Sequence, residues 1–160
     1  MAARPDMELA ERIDRLESRF ALRDLVSDYC HGFDRRDWPR FDAIWHEDAI
    51  WEIGPPFGTY QGRAAIGEAA RMIASEVWRE THHLTSNLRV DFETADRARG
   101  LCNVDCMGAT LDDVVQMISA TYEDEFERRA GSWRIAHRVV TIHYFNPIPG
   151  ASMTPPAAAG

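Results

Sequence analysis

The sequence predicts an α+β fold, with its helices first and an antiparallel sheet last. Three observations carry this. Apolar residues recur at three- and four-residue spacing through the first half of the chain. After residue 80 the pattern changes to long strand-like stretches rich in Val, Ile, Thr and aromatics. Asp112-Asp113 and Ala130-Gly131 divide those stretches where hairpin turns belong. A run of helices followed by a run of strands gives segregated layers rather than alternating βαβ units.

Taken in order, residues 1–7 read as a loose leader. A long amphipathic helix follows over 8–34. Leu9, Ile13, Leu16 and Phe20 form its early apolar stripe, and Leu22, Leu25, Val26, Tyr29 and Phe33 continue it. Asp6 and Glu8 suit its start, and Gly32 weakens its last turn. Pro39 fits the first turn of a second short helix, 39–46, with Asp37 or Trp38 near the cap. Ala49 to Ile53 reads as a strand ended by Gly54-Pro55-Pro56, and 57–62 as its partner. A third helix spans 63–78, carrying Ile66, Ala69, Ile73 and Val77. The sheet proper is expected at 82–93, 98–111, 114–128 and 133–145. From Pro147 onward the PIPG and PPAAAG strings have turn and low-complexity character.

A length of 160 residues suits one domain, and 45% apolar content suffices for a core without disulfides or metal. The net charge of −8 repels phosphate backbones and anionic lipid, so neither nucleic acid nor a membrane surface is expected as a partner. The aromatic residues are not interleaved with basic ones, which favours a small-molecule pocket. Cys30, Cys102 and Cys106 form no C-x-x-C pair and read as reduced thiols of a soluble cytoplasmic protein. No transmembrane run, signal core, phosphate-binding loop, nucleophile elbow or metal-ligand spacing is present, and no cofactor is expected.

Several strings stand in a distinctive order. They are L-x-S-R-x-A-x-x-D-L-x-S-D at 16–28, G-x-D-R-R at 32–36, I-W-x-x-D-A-x-W at 44–51 and G-T-Y-x-G at 58–62. E-T-x-H-x-x-x-N-L-R at 80–89, T-Y-x-D-E-F-E-R-R at 121–129 and G-x-W-R-x-x-x-R at 131–138 follow. Jointly they resemble the SnoaL-like family of the superfamily that includes nuclear transport factor 2 and ketosteroid isomerase, and within it the dehydrochlorinases. The resemblance implies a cone-shaped, curved mixed sheet enclosing a pocket. It implies an Asp34–His83 catalytic pair and a cationic Arg138 in that pocket. Cys30, Phe33, Trp51 and Val104 would line it, with Cys106, Ile118, Tyr122 and Ile142. Many relatives are homo-oligomers, which favours a trimer or else a dimer here. Where the dehydrochlorinases have a lysine this chain has Tyr29, and scytalone and bile-acid dehydratases of the same superfamily use tyrosines beside an Asp and a His.

The residues themselves support these roles. A neutral imidazole suits proton abstraction near neutral pH, and a carboxylate on its far nitrogen would fix the tautomer and stabilise the imidazolium. His83 is the candidate base and Asp34 the carboxylate. Strand parity complicates His83, because His82 shares parity with Leu84, Leu88 and Val90; a bulge near Thr85 would resolve this. Arg138 shares parity with Val140, Ile142 and Tyr144, so it needs a partner, either an anionic substrate group, Asp34 or a carboxylate at the sheet rim. Tyr29 can donate to a substrate oxygen. Asp105 reads as a subunit-contact residue, His31 and His46 as surface groups, and His137 and His143 as packing or interface residues. The expected function is cofactor-independent elimination of water, or of HCl, from a hydrophobic small molecule. Isomerisation or cyclisation with the same base, and a non-catalytic binding or dioxygenase small-subunit role, are the alternatives.

Overall fold

The computed structural model describes residues 8–154. The leader at 1–7 and the last residues of the tail, 155–160, lie outside the described residues. The elements run α1 (Leu9–Asp34), α2 (Trp38–Ala43), β1 (Trp45–Gly54), β2 (Gly58–Gln61), α3 (Arg63–Glu76), β3 (Trp78–Phe92), β4 (Arg97–Thr110), β5 (Val115–Arg129) and β6 (Ser132–Pro147). The fold is α+β, with the helices on one side of a curved, unclosed mixed sheet ordered β2-β1-β6-β5-β4-β3. β3 to β6 form an antiparallel meander, and β1 joins it parallel to β6.

Only half of the α1 stripe turns inward. Leu22, Val26, Tyr29 and Phe33, spaced by three and four, are buried against the sheet. Leu9, Ile13, Leu16 and Phe20 are exposed instead. In that half the inward side carries Ser18, which accepts a 3.0 Å hydrogen bond from the Trp133 indole. Gly32 has a packing role: a Cβ there would lie 2.9 Å from the Phe41 backbone nitrogen and Cβ. Its absence lets α2 close against α1. Asp37 caps α2 by accepting from the Arg40 amide, with Pro39 in the first turn. Asp113 (φ 59°), Ala130 (φ 50°) and Gly131 (φ 80°) supply the left-handed backbone of the two hairpin turns.

Bulges decide which side chains face inward. In β3 the register shifts between Ser86 and Arg89, with Asn87 at φ 57°. His83 therefore faces inward with Thr81, while Leu88 and Val90 beyond the bulge face inward too, and Leu84 is exposed. The break falls a little after the expected Thr85. β6 carries two shifts, one between Ile135 and His137 and one between Ile142 and Tyr144. They place Trp133, Ile135, Arg138, Ile142 and Phe145 on the same inner side.

Candidate active site

Asp34 ends α1, where the helix delivers its carboxylate to the inner edge of β3. Three donors converge on it. The Thr81 hydroxyl donates to Oδ1 at 2.7 Å, the His83 backbone N–H to Oδ2 at 2.8 Å, and the His83 Nδ1–H to Oδ1 at 2.6 Å. The side chains are only 14% and 12% exposed. Burial pushes the Asp34 carboxyl up, but the His83 hydrogen bonds and charge, with Thr81, hold it below the ordinary carboxylate range. Burial pulls the His83 imidazole down, yet the hydrogen bond to Asp34, with the Cys106 sulfur nearby, outweighs that and lifts it to about 9. With Nδ1 held by Asp34, Nε2 is the nitrogen left for chemistry.

The imidazole stands in the wall of a cavity of about 90 Å³. One water needs on the order of 10–15 Å³ of such space, so a compact ring-sized molecule fits. The wall is mostly apolar. Phe33, Trp51, Val104, Ile118 and Ile142 contribute to it, as do Ile53, Phe57, Ile73, Trp78, Ala120, Val140 and Phe145. Its polar groups are Tyr29, Thr81, His83, Cys106 and Tyr122. The Tyr29 and Tyr122 rings meet edge to face at 5.4 Å. Burial pushes both phenols above the ordinary tyrosine range, so each stays a neutral O–H. Trp51 keeps a buried indole N–H without a protein acceptor.

Two expected pocket residues stand behind this wall rather than in it. Cys30 is buried in the core, where burial pushes its thiol up to about 12. Arg138 is fully buried, and its partner is neither Asp34 nor a rim carboxylate. It is Asp124, its register neighbour on β5, bound through Nε at 2.6 Å and Nη2 at 2.8 Å. Its guanidinium lies 4.3 Å from the centroids of both Tyr29 and Tyr122, so the cation sits beneath the phenol pair. Nη1 has no hydrogen-bond partner.

The histidines sort differently from expectation at one position. His46 is 3% exposed, not a surface group; its Nε2 meets the Glu127 carbonyl at 2.9 Å, and burial lowers its basicity. His31 is exposed and His82 mostly so, whereas His137 is half-buried against Glu52 at 2.7 Å. His143 is exposed and bonded to Thr121, and Asp105 is exposed on the outer face of β4. Among the described residues no group of three or more His, Cys, Asp or Glu side chains is placed to hold a metal ion. Nor is any helix long and apolar enough to cross a membrane.

Sequence reasoning missed Thr81 and Asp124. Thr81 lies two residues before His83 and so shares its face, a signal that period two supplies. Asp124 lies between Tyr122 and Phe126 on the buried face of β5, where an acid requires a buried partner.

Known proteins resemble the chain in sequence and in fold. Residues 14–139 match the SnoaL-like domain. Hexachlorocyclohexane dehydrochlorinase 1 of Sphingobium indicum is 37% identical over 147 residues, covering 91% of this chain and 95% of its own. The crystal structure of a type 2 hexachlorocyclohexane dehydrochlorinase superposes with a TM-score of 0.88 at 36% identity, covering 92% of this chain and 99% of that one. A type 3 enzyme from Novosphingobium barchaimii gives 0.86 at 34% identity, over 91% and 99%. With the family matched over most of its length and relatives above 30% identity covering nearly all of it, the chain belongs to the SnoaL-like family.

Proposed function

We propose that the protein is a cofactor-independent lyase that removes a carbon-bound proton and expels a leaving group from a compact hydrophobic molecule. The observation that carries this is the Asp34–His83 pair at the wall of an apolar cavity, with Nδ1 held at 2.6 Å by a carboxylate. His83 Nε2 takes the proton, and Asp34 stabilises the imidazolium that forms. The dehydrochlorinase relatives support an elimination.

The Tyr29–Tyr122 phenols favour an oxygen leaving group. Both remain neutral donors, and the Arg138 cation beneath the rings strengthens them as donors. Water is then the expelled molecule, and the product is an alkene or enone. A second reading, loss of HCl from a chlorinated alicycle, is favoured by the relatives, and a phenol donor also accommodates a departing chloride. We further take the working form to be a homo-oligomer, with a trimer favoured. Leu101 and Met107 are exposed on the outer face of β4, where a second copy would cover them; a monomeric sedimentation profile would remove this part of the reading.

The test is a panel of β-hydroxy ketones, hydroxysteroids, phenolic alcohols and chlorinated cyclohexanes, incubated with wild type and with His83→Ala and read by mass spectrometry. Loss of water or HCl in wild type alone supports the lyase and names its leaving group. Isomerised products without mass loss would replace the lyase reading with an isomerase.

A further inference from the structure

His83 and Cys106 are direct partners across the β3–β4 ladder. Opposed residues on one face of an antiparallel pair place their Cβ atoms about 4.5–5.5 Å apart. Both side chains line the cavity, so the thiol and the imidazole share one wall; the thiol's hydrogen-bond contact is a long one, 3.8 Å to the Met107 carbonyl. Asp34 holds Nδ1, which leaves Nε2 as the nitrogen open to a cavity group. Carboxylate, imidazole and thiol thus follow one another in space from the end of α1 through β3 to β4. Such an order, with a nucleophile beside a base that a third group orients, activates a sulfur for attack. The two other cysteines are not in the cavity wall: Cys102 lies against the Ser86 and Asn103 carbonyls, and Cys30 is buried in the core.

We propose that Cys106 is a nucleophilic thiol, activated by His83 and Asp34, that is alkylated by carbonyl-activated carbon electrophiles small enough to enter the cavity. With an α-halo ketone the sulfur forms a bond to the halogen-bearing carbon and the carbon–halogen bond breaks. Halide leaves with the electron pair, and the thiol proton ends on the imidazole. With an α,β-unsaturated ketone the sulfur adds to the β carbon and the proton returns to the α carbon, so nothing leaves. The neutral form of the imidazole, which gains population as pH rises toward 9, is the form that takes the thiol proton. The apolar wall selects ring-bearing electrophiles over small polar ones. This site shares His83 with the lyase reading but none of its reaction.

The experiment treats the full chain with phenacyl bromide, an aromatic α-halo ketone, and follows adducts by intact mass and peptide mapping. The expected result is one adduct on Cys106, formed about tenfold or more faster than any on Cys30 or Cys102. Acetophenone, which lacks the halogen, slows it by occupying the cavity. His83→Gln, with its fold checked by circular dichroism, slows it about tenfold or more. Equal labelling of the three cysteines in the native protein overturns the proposal. So does labelling of Cys106 that acetophenone does not slow, a measurement on wild type that stands even if His83→Gln does not fold. A folded His83→Gln labelled at the wild-type rate overturns it as well. Because adducts are counted on the protein and not on turnover, a failed lyase panel and a failed labelling are separate results.

Discussion

Asp34 grips His83 twice, once at the imidazole and once at the backbone: Nδ1 lies 2.6 Å from Oδ1 and the amide nitrogen 2.8 Å from Oδ2. The double attachment fixes both the ring and the strand that carries it. Asp34 also lies at the C-terminal end of α1, where the helix dipole disfavours an anion, so its donors come from β3. Replacing Asp34 with Asn keeps the shape and removes the charge. Turnover by Asp34→Asn and by His83→Gln should each fall roughly 10²–10⁴-fold. Wild-type rates in either folded variant, measured on whichever substrate the panel identifies, would remove the pair from the mechanism.

The pair also sets a pH profile. With His83 lifted to about 9, the base form gains population as pH rises, so kcat/KM should climb from pH 6.5 toward 9. In Asp34→Asn the inflection should move down. Stability runs the other way. His83 is raised on folding, so its contribution is fully present below about pH 6.5 and is lost as pH rises through about 9. Asp34 is lowered, so its contribution is present above its ordinary value of 3.8 and lost as pH falls through its folded value. Urea midpoints from pH 3 to 10 should show both flanks; a flat line above pH 6.5 would contradict the lifted imidazole.

Arg138 and Asp124 should behave as a unit. Removing either partner alone leaves a buried charge uncompensated, so Arg138→Met or Asp124→Leu should cost about 3–5 kcal/mol. The double variant should cost clearly less than the two singles added together, by denaturant unfolding. Strict additivity would mean that the bidentate contact contributes little.

Tyr29→Phe separates packing from chemistry. The ring keeps its contacts with Tyr122, Phe41 and Trp51, and the phenol donor is lost. Unfolding should change little, while elimination of an oxygen leaving group should slow about 10²–10³-fold. An unchanged rate would assign the donor role elsewhere.

Gly32→Ala tests the contact between α1 and α2. The new methyl would sit 2.9 Å from the Phe41 backbone, which cannot swing aside as a side chain can. The expected cost is about 1–3 kcal/mol, although alanine is the better helix former. A stabilised variant would show that α2 can move.

Much of this arrangement was legible beforehand, and the parts that were not share a cause. The inward half of α1, the Asp37 cap and the hairpin turns follow from local spacing and turn chemistry. Asp34 and His83 lie 49 residues apart, and only the family resemblance pointed to their pairing. Strand parity failed at bulges: simple alternation put His82 on the inner face and grouped Tyr144 with Arg138. The exposure of Leu9, Ile13, Leu16 and Phe20 depends on what the rest of the chain leaves uncovered, which periodicity does not contain. His46 is buried only because the Glu127 carbonyl, 81 residues away, receives it. Arg138 announced its need for a partner, but naming Asp124 required the β5–β6 register.

The extra residue between Ser86 and Arg89 gears the chemistry to the core. Upstream of it Thr81 and His83 face inward on odd positions; downstream Leu88 and Val90 do so on even ones. A deletion there is not a shortened loop, because with a period of two it turns one half of the strand over. Either the imidazole leaves the cavity or Val90 leaves the interior. Side chains around the cavity can be exchanged one at a time, and substrate preference can drift with them. The length of β3 cannot drift in the same way, since one lost residue disengages either the catalytic half of the strand or the half that anchors it.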